Sequence, residues 1–182
     1  MPLPPPAPRK NVHDRVIAMR TYEREDGLFD VEGRVSDTKP FDFIRPNGPG
    51  TVPTGEFIHD MWIRLTIDRE FVVREVAAAS DTTPWALCKE AEATLQVLVG
   101  RTVGRGWSAF IKEKLRGTAS CTHLMEMLIP MATVAFQGMR PRLGKSGDPG
   151  YLLDTCWSFS AEREVVMRVW PHLARPPKSS TT

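Results

Sequence analysis

Five residues of this sequence carry side chains that bind metals or attack electrophiles in a context that draws notice: His59, Asp60, Cys88, Cys121 and His123. Cys121 stands at the predicted start of a helix. Unpaired backbone N–H groups and the positive end of the helix dipole would face its sulfur there. Such a setting favours thiolate, the form that acts as nucleophile and as metal ligand. His123 lies two residues on, and the pair can converge only if the chain enters the helix from an extended or turn conformation at Cys121. Cys121 and His123 are therefore the candidate catalytic pair. The plainer alternative is a small buried cysteine beside a hydrogen-bonded histidine.

His59 and Asp60 lie between a Gly-rich loop and a strand, and loops held by a sheet often carry functional groups. Adjacent strand residues point to opposite faces, so one site takes one of the two. Zinc and iron accept thiolate, imidazole and carboxylate together. His59, Asp60, Cys88, Cys121 and His123 are the candidate ligand set for such an ion, although no CxxC or HxxxH spacing ties them locally. Asp26, Asp30 and Glu32 form an acidic cluster beside Arg24 and Arg34, which reads as a charged outer strand face. Trp62, Trp85 and Trp107 either line an apolar cleft or belong to the core. No Gly-rich phosphate loop, dinucleotide fingerprint or Ser-centred elbow is present, which argues against nucleotide use.

The elements that must hold these residues follow from periodicity. Residues 15–23 and 28–36 read as strands joined by Glu25-Asp26-Gly27. In the second, Phe29, Val31 and Val35 share one face and Asp30, Glu32 and Arg34 the other. Residues 45–55, rich in Pro and Gly, read as a loop. Residues 59–68 alternate most clearly, with Met61, Ile63, Leu65 and Ile67 on one side. A tight turn at 68–70 leads to a strand at 71–77, bringing Ile67 and Phe71 near each other. Helical spacing begins near Ser80. Thr82 or Thr83 is positioned to cap a helix over 84–99 that ends at Gly100. A second helix over 107–115 is bounded by Gly106 and Gly117. A third, 121–139, carries the stripe Leu124, Leu128, Met131 and Ala135, with Pro130 as a kink or a lost backbone bond. Residues 140–150 read as a loop and 154–169 as a terminal hairpin. Strands first and helices second give an α+β class: an antiparallel sheet with about three helices on one face.

The 182 residues suit one domain over 13–174, between a Pro-rich arm at 1–12 and a tail at 175–182. Lysine and arginine number 24 against 22 acidic residues, a near-balance that argues against a nucleic-acid partner. No apolar run approaches the ~20 residues that span a bilayer. The N-terminus has no signal-peptide core, and three cysteines are too few and too odd for a disulfide framework. A cytoplasmic location is expected.

The runs Asp26-Gly27-Leu28-Phe29-Asp30-Val31-Glu32-Gly33, Asp37-Thr38-Lys39-Pro40, His59-Asp60-Met61-Trp62 and Cys121-Thr122-His123-Leu124, in that order, resemble a bacterial domain family of unknown function from about 15 to 169. Two positions depart from its pattern. Ser120 stands where Gly is expected, and Trp157 where His is expected after Cys156, which argues against a role for Cys156. More distantly, the element order is similar to NifU-like scaffolds for iron–sulfur clusters. That likeness implies ligands at the first hairpin strand (His59 or Asp60), at the next helix start (Thr82 or Cys88) and at the last helix N-terminus (Cys121 and His123).

Two functions are consistent with these residues, beside the plainer option of a structural partner protein whose polar motifs only cap and brace. One is a zinc- or iron-binding small enzyme or metal-handling accessory, with a metal-delivery partner. The other is a metal-free enzyme or binding module for an aromatic or acyl small molecule, using a Trp-lined cleft and Cys121 as nucleophile.

Overall fold

The structure, a computed structural model, describes residues 3–45, 50–144 and 149–176. The ends of the expected arm and tail, and parts of the loops expected at 45–55 and 140–150, lie outside the described residues. The chain divides into two compact units, Met1–Met139 and Arg140–Thr182.

The first unit is built on four antiparallel strands: β1 (Asp14–Glu23), β2 (Phe29–Thr38), β5 (His59–Ile67) and β6 (Val73–Thr82), side by side in that order. Between β2 and β5 the strands β3 (Phe43–Ile44) and β4 (Thr51–Val52) form a small ribbon of their own. The span expected to be pure loop thus contains a paired strand. Alternation in β2 and β5 governs burial as expected. Phe29, Val31 and Val35 are buried with Met61, Ile63, Leu65 and Ile67, while Glu32, Arg34, Trp62 and Arg64 lie on the opposite face.

The β5–β6 connection differs from the expected tight turn. Ile67 pairs with Val73, not Phe71, because Asp68 organises a wider loop. Its carboxylate accepts the backbone N–H groups of Glu70 and Val72, and Phe71 adopts a positive φ of 65°. β6 runs to Thr82, five residues past the expected end, so the expected caps Thr82 and Thr83 do not serve. The following helix starts after an extended Trp85 with no side-chain cap.

That helix, Ala86–Leu98, is a 3-10 helix of 13 residues, not the expected α-helix. A 3-10 turn holds three residues, so positions three apart stack on one face. Leu95 and Leu98 do so here and are its two fully buried side chains. Gly100, with φ 81°, turns the chain back, and its N–H bonds the Val73 carbonyl.

Helix α1 (Trp107–Leu115) has the expected bounds, and its buried Trp107 donates its indole N–H to the Leu128 carbonyl at 2.8 Å. Helix α2 (Thr122–Arg142) passes through Pro130 and buries Leu124, Met127, Leu128, Met131, Ala135 and Met139. It lies close over the sheet at two glycines. A methyl on Gly33 would approach Met131 Sδ to 3.1 Å, and one on Gly138 would meet Thr21 Cβ at 2.7 Å.

The second unit, taken by itself, has turns at Pro149–Tyr151 and Pro171–Leu173 and a short helix α3 (Glu164–Val169). No strand forms among its described residues, which corrects the hairpin expected at 154–169. Acidic Glu164 in the first turn and Arg168 in the last complement the helix dipole over a helical period. Asp154 binds this unit together, accepting from the Ala161 N–H and from the Arg175 guanidinium.

Candidate functional site

The site begins as a row across three strands. Register places Arg15 opposite Asp37 and Asp37 opposite His59. All three share the parity of Val31, Val35 and Met61, so they extend the core face to the end of the sheet where β2 and β5 meet α2. Asp37 is 1% exposed. A buried carboxylate must be paired, and this one is held on both oxygens. Arg15 grips it in a fork, Nε to Oδ1 at 2.7 Å and Nη2 to Oδ2 at 2.8 Å. His59 Nδ1 lies 2.8 Å from Oδ2. His13, from the segment before β1, brings Nε2 to 3.4 Å from Oδ1.

The N-terminus of α2 closes the cluster. Ser120 is fully extended, and the Cys121 carbonyl accepts the first helical N–H, from Met125, at 2.9 Å. Cys121 is therefore itself the N-cap. This extended entry lets Cys121 and His123 converge, with Sγ 3.7 Å from His123 Nδ1. The other nitrogen of the same ring, Nε2, lies 3.7 Å from Asp37 Oδ2. The His59 and His123 rings face each other with centroids 3.9 Å apart. Ser120 is anchored in turn by a 2.7 Å hydroxyl contact with Thr94 of the 3-10 helix.

These contacts set the protonation preferences. Burial disfavours the Asp37 carboxylate, but the Arg15 fork and the His59 ring outweigh it and hold its pKa below the ordinary range. Burial lowers the pKa of His59, with Asp37 opposing in part. Burial would also raise the Cys121 thiol. The His123 ring and the backbone N–H groups of Leu124 and His123 more than offset that, and its pKa falls. The His123 ring is the larger of these influences, and the backbone N–H groups are the helix-start contribution.

Of the candidates read from the sequence, His59, Cys121 and His123 meet here. Asp60 does not, and its place in the ligand set is corrected. It points to the opposite sheet face, where Arg34 holds both its oxygens at 2.7 Å. Strand alternation makes that separation from His59 unavoidable. Cys88 sits within the 3-10 helix and joins no cluster of ligand atoms among the described residues. The tryptophans share no cleft: Trp107 is core, Trp85 is exposed, and Trp62 lines a shallow depression on the far face with Arg34. Asp37, Arg15 and His13 were missed. The available signal was that Asp37 continues the inward series Phe29, Val31, Gly33 and Val35, where an acid needs a partner.

Asp37, His59 and His123 each offer a ligand atom, and the three atoms lie within 4.8 Å of one another. Fold and site together define an α+β protein with two half-buried histidines around a buried carboxylate, beside a helix-capping cysteine. The chain belongs to the family described as "Protein of unknown function (DUF2889)", which it matches over residues 13–137. That span contains the whole cluster. No curated protein and no solved structure matches the chain. Among the described residues no helix is long and apolar enough to cross a membrane.

Proposed function

We propose that this protein binds one zinc or iron ion through Asp37, His59 and His123, as a small metalloenzyme or metal-handling accessory. The observation that carries the reading is the convergence of those three ligand atoms within 4.8 Å. Two imidazoles and one carboxylate are a set used by catalytic zinc and by non-haem iron, and both leave positions open for water or substrate. Bonds of about 2.1 Å place the ligand atoms of a tetrahedral ion about 3.4 Å apart, so modest side-chain closure suffices. An ion would replace the His59–Asp37 hydrogen bond while Arg15 keeps its grip on the carboxylate. Arg15 neutralises Asp37, so a divalent ion needs further negative charge nearby. Cys121, 3.7 Å from His123, is placed to supply it as thiolate.

The test is metal analysis of protein purified without a histidine tag, followed by titration with zinc and, without oxygen, with ferrous iron. One ion per chain is expected, lost in His59→Ala and His123→Ala and retained in Asp60→Ala and Cys88→Ser. Protein that holds no metal and takes up none at micromolar concentration rejects the reading.

A second reading rests on a separate observation, the position of Cys121 as N-cap of α2 with His123 on its sulfur. It is metal-free nucleophilic chemistry on an acyl-type small molecule, with Asp37 orienting His123 from the far nitrogen. It does not need a Trp-lined cleft. Covalent labelling of Cys121 by an acyl thioester in metal-free protein, abolished in Cys121→Ser, distinguishes it from the first.

A further inference from the structure

The sheet has an open edge that matches itself. Within the first unit β1 has β2 on one side and, among the described residues, no strand on the other. It is ten residues long and pairs with β2 without a bulge, and it contains no proline. Long regular edges of this kind invite a further strand, and most proteins blunt them. Its side chains also leave apolar surface in water: Val16 is 59% exposed, Ile17 46% and Tyr22 45%.

We propose that β1 pairs with β1 of a second copy, antiparallel about a two-fold axis through Met19, to join two four-stranded sheets into one of eight. The register follows from hydrogen-bond geometry and charge. On an edge strand, alternate residues turn their N–H and C=O outward, and directly opposed residues in an antiparallel pair are of the same kind. Two copies of β1 therefore pair only residues of equal parity, which puts the axis on a residue and not between two.

Centring on Arg20 sets two guanidinium groups against each other. Centring on Ala18 places Asp14 against Tyr22 and Val16 against Arg20. Centring on Met19 opposes Asp14 to Arg24, Val16 to Tyr22 and Ile17 to Thr21, while Arg15 keeps its fork on Asp37. Asp14 and Arg24 are then of opposite sign, and the exposed Val16 and Tyr22 cover each other on one face. Cross-strand pairs of these types are the ones that stabilise sheets. The symmetry repeats each pair, so every favourable contact occurs twice, as in an isologous interface. This inference is independent of the metal reading, since Asp14, Val16, Met19, Tyr22 and Arg24 belong to no part of the cluster.

The experiment is sedimentation equilibrium of the full chain at several concentrations, with charge-swapped variants. A concentration-dependent dimer is expected. Asp14→Arg or Arg24→Asp alone should weaken it by about tenfold or more, since each puts like charges together twice. Asp14→Arg/Arg24→Asp restores the opposite signs and should recover dimerisation. Met19→Cys should form a disulfide-linked dimer under mild oxidation, which wild-type protein should not. A monomer at every concentration, a dimer indifferent to both single changes, or a double variant no better than the singles overturns the proposal. So does a dimer in which Met19→Cys fails to cross-link.

Discussion

Replacing Asp37 with Asn isolates what the buried carboxylate does. Asn keeps the shape and one acceptor oxygen but removes the charge and turns the second position into a donor. That donor would face Arg15 Nη2 and His59 Nδ1, each 2.8 Å from Oδ2 in the wild type. Hydrogen bonds to charged groups contribute about 1.5–3 kcal/mol, and breaking a buried pair costs about 3–5 kcal/mol. Arg15 is 34% exposed, so water recovers part of the loss, and His59 can change tautomer to accept from the new amide. The expected destabilisation of the metal-free protein at pH 7 is about 2–3 kcal/mol, read by urea unfolding with linear extrapolation. The pH dependence carries a sign. The folded pKa of Asp37 is depressed, so its stabilisation is present above the unfolded value of about 3.9 and is lost as pH falls from there through the folded value. The wild-type advantage over Asn should therefore persist from pH 7 to pH 5 and shrink below about pH 4. A cost under about 0.5 kcal/mol at pH 7, or a difference that grows on acidification, would refute the reasoning that this charge is held by Arg15 and His59.

Leu65→Ala removes a fully buried side chain from β5 and should cost about 2–5 kcal/mol in the same assay; a change under ~0.5 kcal/mol would show the face is not core. Gly138→Ala puts a methyl 2.7 Å from Thr21 Cβ and should destabilise by about 1–3 kcal/mol. The double variant with Thr21→Gly should recover most of that, and no recovery would mean that α2 does not approach β1 there. Cys121 in metal-free protein should react with iodoacetamide at neutral pH faster than a free thiol. His123→Ala should slow it, and equal rates in both proteins would remove the histidine from the account. His59, with a pKa lowered by burial, keeps its neutral form. Stability should decline as pH drops below about 6.5, where the unfolded chain takes up the proton first, and the slope should flatten in His59→Gln.

Much of this protein is local in its sequence. The alternation through Phe29–Val35 and Met61–Ile67 settled which face of each strand is buried, because a two-residue period leaves no other assignment. Gly106 and Gly117 bounded α1. The helix start at Cys121 foretold backbone N–H groups at its sulfur, and strand parity foretold that His59 and Asp60 would part. Other features needed partners that spacing does not name. A 3-10 and an α-helix differ by little over half a residue per turn, and Leu95 and Leu98 decide between them only by what they pack against. The hairpin after Ile67 widened because the Asp68 side chain competes for backbone N–H groups.

The site was the least legible of all. His59 meets Asp37 across 22 residues, and Asp37 meets Arg15 across another 22, through the registers of two strand pairs. A one-residue slip in either would send these side chains to the opposite face. The sequence alone singled out Cys121, His123 and His59 as candidates and placed each at the start of an element. Only the tertiary structure decided that a buried aspartate draws them together. Register is set by packing of the whole sheet against α2, and no local pattern encodes which acid faces which histidine.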